Sequence, residues 1–363
     1  GVGVAKAPDG RVIFVTNAVP GDVVDVQTTK KKSAYYEGFA VKFHQLSAER
    51  TTPVCSHFGY CGGCKWQDLA YERQLYYKQK EVENNLVRLG RIAIPQLMPI
   101  IGSDDIYFYR NKMEFSFSDM RWLTPEEIKR ADEITDRNGL GFHIAGAWDK
   151  VLDIHKCHLQ QDPSNAIRNT LKSYALSQGY TFYNPRNHTG WLRTIMIRIT
   201  SLGELMLVIQ FLEERKEDRE QLLGYLLEQF PQITSLQYII NNKPNDTIYD
   251  QEVICYHGRD FIYEEMEGLH FKINAKSFFQ TNSSQAYELY KVTRDFAALT
   301  GEELVYDLYT GTGTIAQFVA KKAKKVIGVE AVPEAIADAK ENARNNQIDN
   351  VEFFVGDMKN IFN

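Results

Sequence analysis

Short β-rich apolar runs alternate with turn signals over residues 11–46. Val12-Ile13-Phe14-Val15, Val23-Val24-Asp25-Val26 and Phe39-Ala40-Val41-Lys42-Phe43 are short β-branched and aromatic runs, punctuated by turn chemistry such as Pro20-Gly21-Asp22. Runs of β-branched and aromatic residues bounded by turn residues read as strands. The stretch predicts a small all-β barrel of OB type over residues 1–48. From Leu69 the period lengthens: Leu69, Tyr76, Val82, Leu86 and Leu89 fall near whole-turn spacings and Gly90 ends them, which predicts one long helix. Residues 107–265 return to alternation, in Met113–Phe117 and Leu192–Arg198. A more buried strand follows at Leu205–Phe211, then a charged surface helix at Glu213–Gln229 and a strand at Leu236–Ile240. That mixture predicts an α+β unit rich in antiparallel strands.

The last hundred residues read as βαβαβ. Leu304–Leu308 is a buried strand that runs into Tyr309-Thr310-Gly311-Thr312-Gly313-Thr314, after which Ile315–Lys322 is helical. Val326–Glu330, a helix Pro333–Asn346, a strand Val351–Val355 and Asp357 complete the run. Glycines at such a turn let the backbone approach a nucleoside at the carboxyl edge of a parallel sheet, and an acid ending the second strand accepts hydrogen bonds from ribose hydroxyls. Glu330 lies 17 positions after Gly313. The third glycine of a dinucleotide fingerprint is missing, which favours S-adenosylmethionine over NAD.

Net charge changes the picture little: −5 overall, with a sequence pI near 6.0, excludes a protein that holds nucleic acid by bulk positive charge. Residues 1–66 run the other way, with eight Lys and Arg against five Asp and Glu, and Lys30-Lys31-Lys32 precede Tyr35 and Tyr36. Phosphate contact beside stacking surfaces is one reading of that cluster; a solvated hairpin loop is the other. No apolar run reaches 18 residues and no signal-like leader opens the sequence, so a soluble, cytoplasmic protein without membrane contact is expected, as a monomer.

Cysteine spacing adds chemistry. Cys55, Cys61 and Cys64 form C-x5-C-x2-C, and Cys157 stands alone downstream. Clustered thiols in a protein of this kind indicate zinc or an iron–sulfur cluster, and Gly62-Gly63 lets the chain turn tightly enough to aim Cys61 and Cys64 at one centre. His57, His155 and His158 flank these cysteines and read as solvated or supporting residues rather than ligands. Cys255, in a strand-like context, reads as a buried structural thiol. Arg193 and Arg198 on one strand offer either phosphate contacts or a solvated sheet face.

Taken in order, these motifs resemble the RNA uracil-C5 (5-methyluridine) methyltransferases, in particular the iron–sulfur branch that acts on 23S ribosomal RNA. The N-terminal β module looks like that family's TRAM domain. Cys55, Cys61-Gly62-Gly63-Cys64-Lys65-Trp66-Gln67 and Cys157 match its [4Fe–4S] ligands. Tyr109-Arg110-Asn111-Lys112, Ser277-Phe278-Phe279-Gln280-Thr281-Asn282 and Asp307–Thr314 match its central and cofactor motifs. The resemblance implies three domains: a TRAM-like OB barrel (1–48), a central α+β iron–sulfur and RNA-binding domain (49–66 and 99–264), and a Rossmann-like α/β methyltransferase domain (67–98 and 265–363). It implies that Gln280, Tyr309, Gly311, Gly313, Thr314, Glu330 and Asp357 contact S-adenosylmethionine, and that ribosomal RNA is the partner.

The same resemblance implies a cysteine that attacks uracil C6 and a glutamate base, both expected beyond residue 363. The methyltransferase domain is therefore expected to be truncated, and the chain as given inactive. The alternatives are a tRNA uracil-C5 methyltransferase and a non-catalytic RNA-binding protein with zinc in the four-thiolate site.

Overall fold

The computed structural model describes residues 2–357 and Lys359. Gly1, Met358 and residues 360–363, at the outer ends of the expected first and last domains, lie outside the described residues. The chain divides into two compact units, Gly1–Ile106 with Phe142–Trp148, and Tyr107–Gly141 with Asp149–Asn363.

The first unit opens with strands β1 (Gly3–Lys6), β2 (Val12–Thr16), β3 (Val23–Lys31) and β4 (Tyr35–Gln45). Where a barrel is expected, these strands pair as a four-stranded sheet in the order β1-β2-β4-β3, with β2 and β4 parallel. Its small core is Ile13, Val15 and Ala40. A Cβ on Gly38 would lie 2.5 Å from the Gln27 carbonyl oxygen, so only glycine allows β3 and β4 to cross there. Lys30 belongs to β3 rather than to the hairpin tip and pairs with Glu37 at 3.0 Å. Tyr36 carries the Arg11 guanidinium 4.2 Å above its ring, and Tyr35 meets Phe14 edge-on at 5.4 Å. Lys30, Tyr35 and Tyr36 of the Lys–Tyr cluster are thus engaged within the sheet, while Lys31 and Lys32 are exposed.

The expected long helix is α1 (Tyr71–Asn84), continued by a π-helical turn over Asn85–Leu89. Gln79 accepts from the Ile100 N–H at 2.9 Å and the Tyr71 hydroxyl accepts from the Ser103 N–H at 2.7 Å, which ties the following extended segment along the helix.

The second unit contains β5 (Lys112–Ser118), β6 (Arg121–Trp122), α2 (Pro125–Ile128), β7 (Gly139–Ile144), β8 (Ala147–Asp153), α3 (Ser164–Ser177), β9 (Leu192–Ile199), β10 (Leu205–Phe211), α4 (Lys216–Gln229), β11 (Ile233–Ile240) and β12 (Ile254–Gly258). The tip of the β7–β8 hairpin groups with the first unit. These strands form one eight-stranded sheet, β12-β11-β10-β9-β5-β7-β8-β6. It is mostly antiparallel as expected, with two parallel pairs, β6 with β8 and β10 with β11, the latter joined by α4. Residues 213–229 therefore do more than cover a surface: Leu222, Leu223 and Leu226 are fully buried, because a crossover helix must press one face onto its sheet. Trp191 stacks on Phe211 at 4.6 Å and Phe117 meets Phe182 edge-on at 4.9 Å, each buried ring contributing about 2–3 kcal/mol of apolar transfer.

The remainder comprises β13 (Phe261–Met266), β14 (Leu269–Asn274), α5 (Ser283–Ala297), β15 (Leu304–Leu308), α6 (Thr314–Ala320), β16 (Lys325–Glu330), α7 (Pro333–Asn345) and β17 (Val351–Val355). The predicted βαβαβ run is present as a parallel sheet in the order β15-β16-β17. One apolar core joins it to the large sheet: Met206 and Val208 of β10 share a cluster with Ile262, Phe271, Phe318, Val326 and Phe353. Helix α7 also supplies hydrogen-bond partners to the edge of β14. Asn342 accepts from the Lys272 N–H at 2.8 Å, and one turn later Asn346 accepts from the His270 N–H at 2.8 Å and donates to the His270 carbonyl at 2.9 Å. Asparagines four apart lie on one helix face, so they serve an exposed strand edge as a partner strand would.

Candidate functional site

The glycine turn lies between β15 and α6. Asp307, next to last in β15, accepts from the Thr310 hydroxyl at 2.6 Å and from the Ala316 N–H at 2.9 Å, closing the turn from below. Burial pushes its carboxyl up from the usual range while those two donors draw it down. Asp307 belongs to the cofactor motif Asp307–Thr314, and an acid at the end of an apolar strand is the sequence signal for its role in the turn.

Each glycine has its own physical reason. Gly313 sits at φ +79°, and a Cβ there would lie 2.7 Å from Phe353 and 3.0 Å from Ala339, so its backbone is pressed against β17 and α7. Gly311, at φ +55°, has no described atom within 4 Å of the place a Cβ would occupy, which leaves its outer side open. Gly328 in β16 is equally constrained, with Phe353 2.5 Å from its virtual Cβ. Tyr309 adopts φ +64° although it carries a side chain, and its ring is 74% exposed rather than packed. A left-handed non-glycine residue with an exposed ring is the kind of strain found where a ligand is gripped.

Glu330 ends β16 beside this turn. Its Oε2 accepts from the Gly311 N–H at 3.2 Å and its Oε1 from Ala331 N–H at 2.7 Å and Val332 N–H at 3.1 Å. Gly311, Gly313 and Glu330 are therefore brought together. Thr314 opens α6 but is buried, with its hydroxyl 3.4 Å from that of Thr312. Asp357 follows β17, whose Val355 is the register partner of Glu330, and stands exposed with Oδ1 accepting from the Lys359 N–H at 2.9 Å. The carboxyl ends of β15, β16 and β17 thus present the turn, Glu330 and Asp357 along one edge, where parallel α/β sheets bind ligands.

Gln280 comes from the segment between β14 and α5. Its side chain is exposed, and its backbone carbonyl accepts from Asn111 Nδ2 at 2.8 Å. The other end of the segment is tied to α7 through Asn274 Nδ2, which donates to Asp338 at 2.8 Å.

Two readings need correction. Arg193 and Arg198 are neither surface residues nor available to phosphates: Arg193 donates to the carbonyls of Asn241 and Lys243 and to Asp246, fixing the loop after β11, and Arg198 donates to the Ser277 carbonyl at 2.6 Å. Burial pushes the Arg198 guanidinium down to about 10. Cys255 is exposed on the edge strand β12, not buried, with Sγ 3.6 Å from the His257 carbonyl.

The cysteine loop occupies the first unit. Cys61 bridges to Ile144 of the β7–β8 tip, a Cβ on Gly62 would lie 2.8 Å from the His143 carbonyl, and the Gly63 N–H donates to Cys61 Sγ at 3.4 Å. Such an N–H···S bond suits a thiolate. Cys157 lies in the second unit, where its N–H donates to Asn165 Oδ1 at 2.7 Å. Among the described residues no group of three or more His, Cys, Asp or Glu side chains is arranged to hold a metal ion. No chemical step is derived through a metal or cluster.

Among the described residues no helix is long and apolar enough to cross a membrane. A family profile described as a methyltransferase domain matches residues 300–363, the stretch that carries the glycine turn. A protein named uncharacterized RNA methyltransferase from Bacteroides thetaiotaomicron is 55% identical over 99% of this chain and 80% of its own length. A protein of the same name from Porphyromonas gingivalis is 54% identical over 97% of this chain and 77% of its own. Among solved structures, the tRNA (uracil-54, C5)-methyltransferase of Pyrococcus abyssi, in complex with S-adenosyl-L-homocysteine, superposes with a TM-score of 0.71 at 25% identity, covering 98% of this chain and 79% of that one. These likenesses give no support to the expectation that the chain as given is inactive.

Proposed function

The chain belongs to the RNA methyltransferase family of its relatives, and from that premise we propose that it methylates C5 of a uridine in RNA with S-adenosylmethionine as donor. The observation that carries the cofactor half is the hydrogen bond from Gly311 N–H to Glu330 at the carboxyl edge of the parallel sheet. S-adenosylmethionine supplies the methyl group and leaves as S-adenosylhomocysteine. In this reading Glu330 accepts from the ribose hydroxyls, and the backbone at Gly311 and Gly313 admits the nucleoside. Tyr309 walls it, the N-terminus of the helix at Thr314 faces its polar end, Asp357 accepts from the adenine amine, and Gln280 binds the amino-acid head group.

Uracil C5 is a poor nucleophile until a thiolate adds to C6, and a base must then take the C5 proton before elimination restores the thiol. Neither role is given to a residue described here. The uracil assignment is supported by the Pyrococcus abyssi protein, whose name specifies uracil-54 of tRNA. Cys55, Cys61, Cys64 and Cys157 are assigned to a [4Fe–4S] cluster, with zinc as the alternative; their spacing and the Gly63 N–H on Cys61 support this. That thiol set favours 23S ribosomal RNA over tRNA as substrate, with the TRAM-like sheet gripping the RNA and the target base turned out of its stack.

The experiment is methyl transfer from tritiated S-adenosylmethionine by the whole protein to separated rRNA and tRNA of a strain lacking the gene, followed by nucleoside digestion. Label in 5-methyluridine from 23S rRNA is expected. Label in another nucleoside refutes the uracil reading, and 5-methyluridine from tRNA alone refutes the ribosomal one.

A further inference from the structure

Two polar side chains, the buried Arg198 and the half-buried Asn111, converge on the segment that carries Gln280. Asn111 immediately precedes β5, and Arg198 is the β9 residue in register with Lys112, so the two lie side by side at one end of paired strands. The Ile199 N–H donates to the Asn111 carbonyl at 2.8 Å and fixes that adjacency. From there Arg198 Nη2 donates to the Ser277 carbonyl at 2.6 Å, while Asn111 Nδ2 donates to the Gln280 carbonyl and to the Ser283 hydroxyl, both at 2.8 Å. The Asn111 backbone N–H adds a bond to the Thr281 carbonyl at 2.8 Å.

The far side of the segment is equally fixed. Ser283 donates to Glu264 Oε2 at 2.9 Å, and Glu264 is fully buried in β13, where its other oxygen accepts from the Ser201 N–H at 2.8 Å. Asn282 caps α5 by accepting from the Gln285 N–H at 3.0 Å. Residues 277–283 have no ladder of their own, so their backbone geometry is set by these side chains.

The arrangement is costly. Arg198 is 3% exposed, yet its Nε meets no acceptor among the described residues, and Asn111 Oδ1 is likewise buried without a donor. Groups that served only to fill the core would be replaced by apolar residues of similar volume without leaving such orphans. Both residues instead spend their directed donors on backbone carbonyls of one short segment.

We infer that Asn111 and Arg198 are positioning residues for the methyl donor: they pin Ser277–Thr281 to the large sheet and so hold the Gln280 amide where the cofactor's head group arrives. The inference rests on the cofactor reading of Gln280 given above. Neither residue touches the cofactor; each acts through the segment it holds.

The test is a double-mutant cycle read by calorimetric titration of S-adenosylhomocysteine into the full chain, with circular dichroism melting of every variant alongside. Arg198→Met, which removes one directed hydrogen bond, is expected to weaken binding roughly tenfold, and Asn111→Ala, which removes two, at least as much. In a Gln280→Ala background the further loss is expected to fall below about twofold, since the residue they position is gone. Arg198→Lys, which keeps a cation within reach of the Ser277 carbonyl, is expected to recover most of the affinity. Should Asn111→Ala fail to fold, the isosteric Asn111→Asp, which lacks the amide donor, replaces it in the cycle. Full additivity with Gln280→Ala, or unchanged affinity in folded single variants, overturns the inference alone. No binding by the unaltered chain overturns the cofactor reading and this inference with it.

Discussion

Replacing Gly313 by alanine tests the physical account of the cofactor turn, because its neighbour two residues away serves as an internal control. At φ +79° an L side chain costs about 1–2 kcal/mol, and the new methyl would sit 2.7 Å from the Phe353 ring and 3.0 Å from Ala339. Phe353 is 4% exposed and Ala339 fully buried, so neither can retreat without repacking the face between β17 and α7. Overpacking of that kind adds about 1–3 kcal/mol, giving a total of roughly 2–5 kcal/mol. Gly311→Ala, at φ +55° with open space around its Cβ, carries only the backbone part, about 1–2 kcal/mol. Urea unfolding followed by hydrogen exchange over residues 304–330 reads both. The account predicts that Gly313→Ala destabilises this sheet more than Gly311→Ala, while Gly311→Ala, whose methyl points into the open side, weakens S-adenosylhomocysteine binding out of proportion to its small stability loss. Equal destabilisation by the two, or a neutral Gly313→Ala, would refute the reasoning.

Other perturbations follow from the same contacts. Asn342→Ala strands the part-buried Lys272 N–H and the buried Thr312 carbonyl, and is expected to cost about 1–3 kcal/mol in thermal unfolding, where a change below about 0.5 kcal/mol would contradict the edge-partner role. Glu303 accepts from the Thr300 hydroxyl and N–H and the Gly301 N–H, and its carboxyl is pulled down to about 2. A folded value below the unfolded one means the ordering of this loop is intact above about 4.5 and is lost as pH falls towards about 2. Carbon-13 titration of Glu303 should show a midpoint near 2, and a midpoint above 4 would contradict it. For the thiol set, anaerobically prepared protein should carry iron and sulfide in equal amounts and lose both in Cys61→Ser; a colourless protein with stoichiometric zinc would replace the cluster assignment.

Much of the C-terminal sheet was legible because its strands are short apolar runs and because Gly311, Gly313 and Glu330 are punctuated at fixed offsets, although β15, expected to be buried, leaves Leu304, Tyr306 and Leu308 exposed. The crossover helix Lys216–Gln229 was harder to place, since its charged residues read as a surface while Leu222, Leu223 and Leu226 carry its buried face. Arg193 and Arg198 misled for a related reason: a charged residue inside an alternating strand suggests a wet face, and only tertiary structure shows that backbone carbonyls from distant loops come to meet it. Cys255 misled in the opposite sense, since a thiol in an apolar strand reads as buried while an edge strand leaves it open. Asn342 and Asn346 carried no local signal, because the strand they serve lies 70 or more residues away in sequence, and Asn111 was visible within a motif while its partner Gln280 lies 169 residues away.

The central claim is that the turn at Gly311 and the carboxylate of Glu330 hold the nucleoside of S-adenosylmethionine. Calorimetric titration of S-adenosylhomocysteine into the chain and its Glu330→Leu variant addresses it directly. The account predicts a single site in the unaltered chain and a roughly thirtyfold or greater loss in the variant, the effect of removing a charge-assisted hydrogen bond worth about 2 kcal/mol. Equal affinity in a folded variant, or no binding by the unaltered chain, would contradict it.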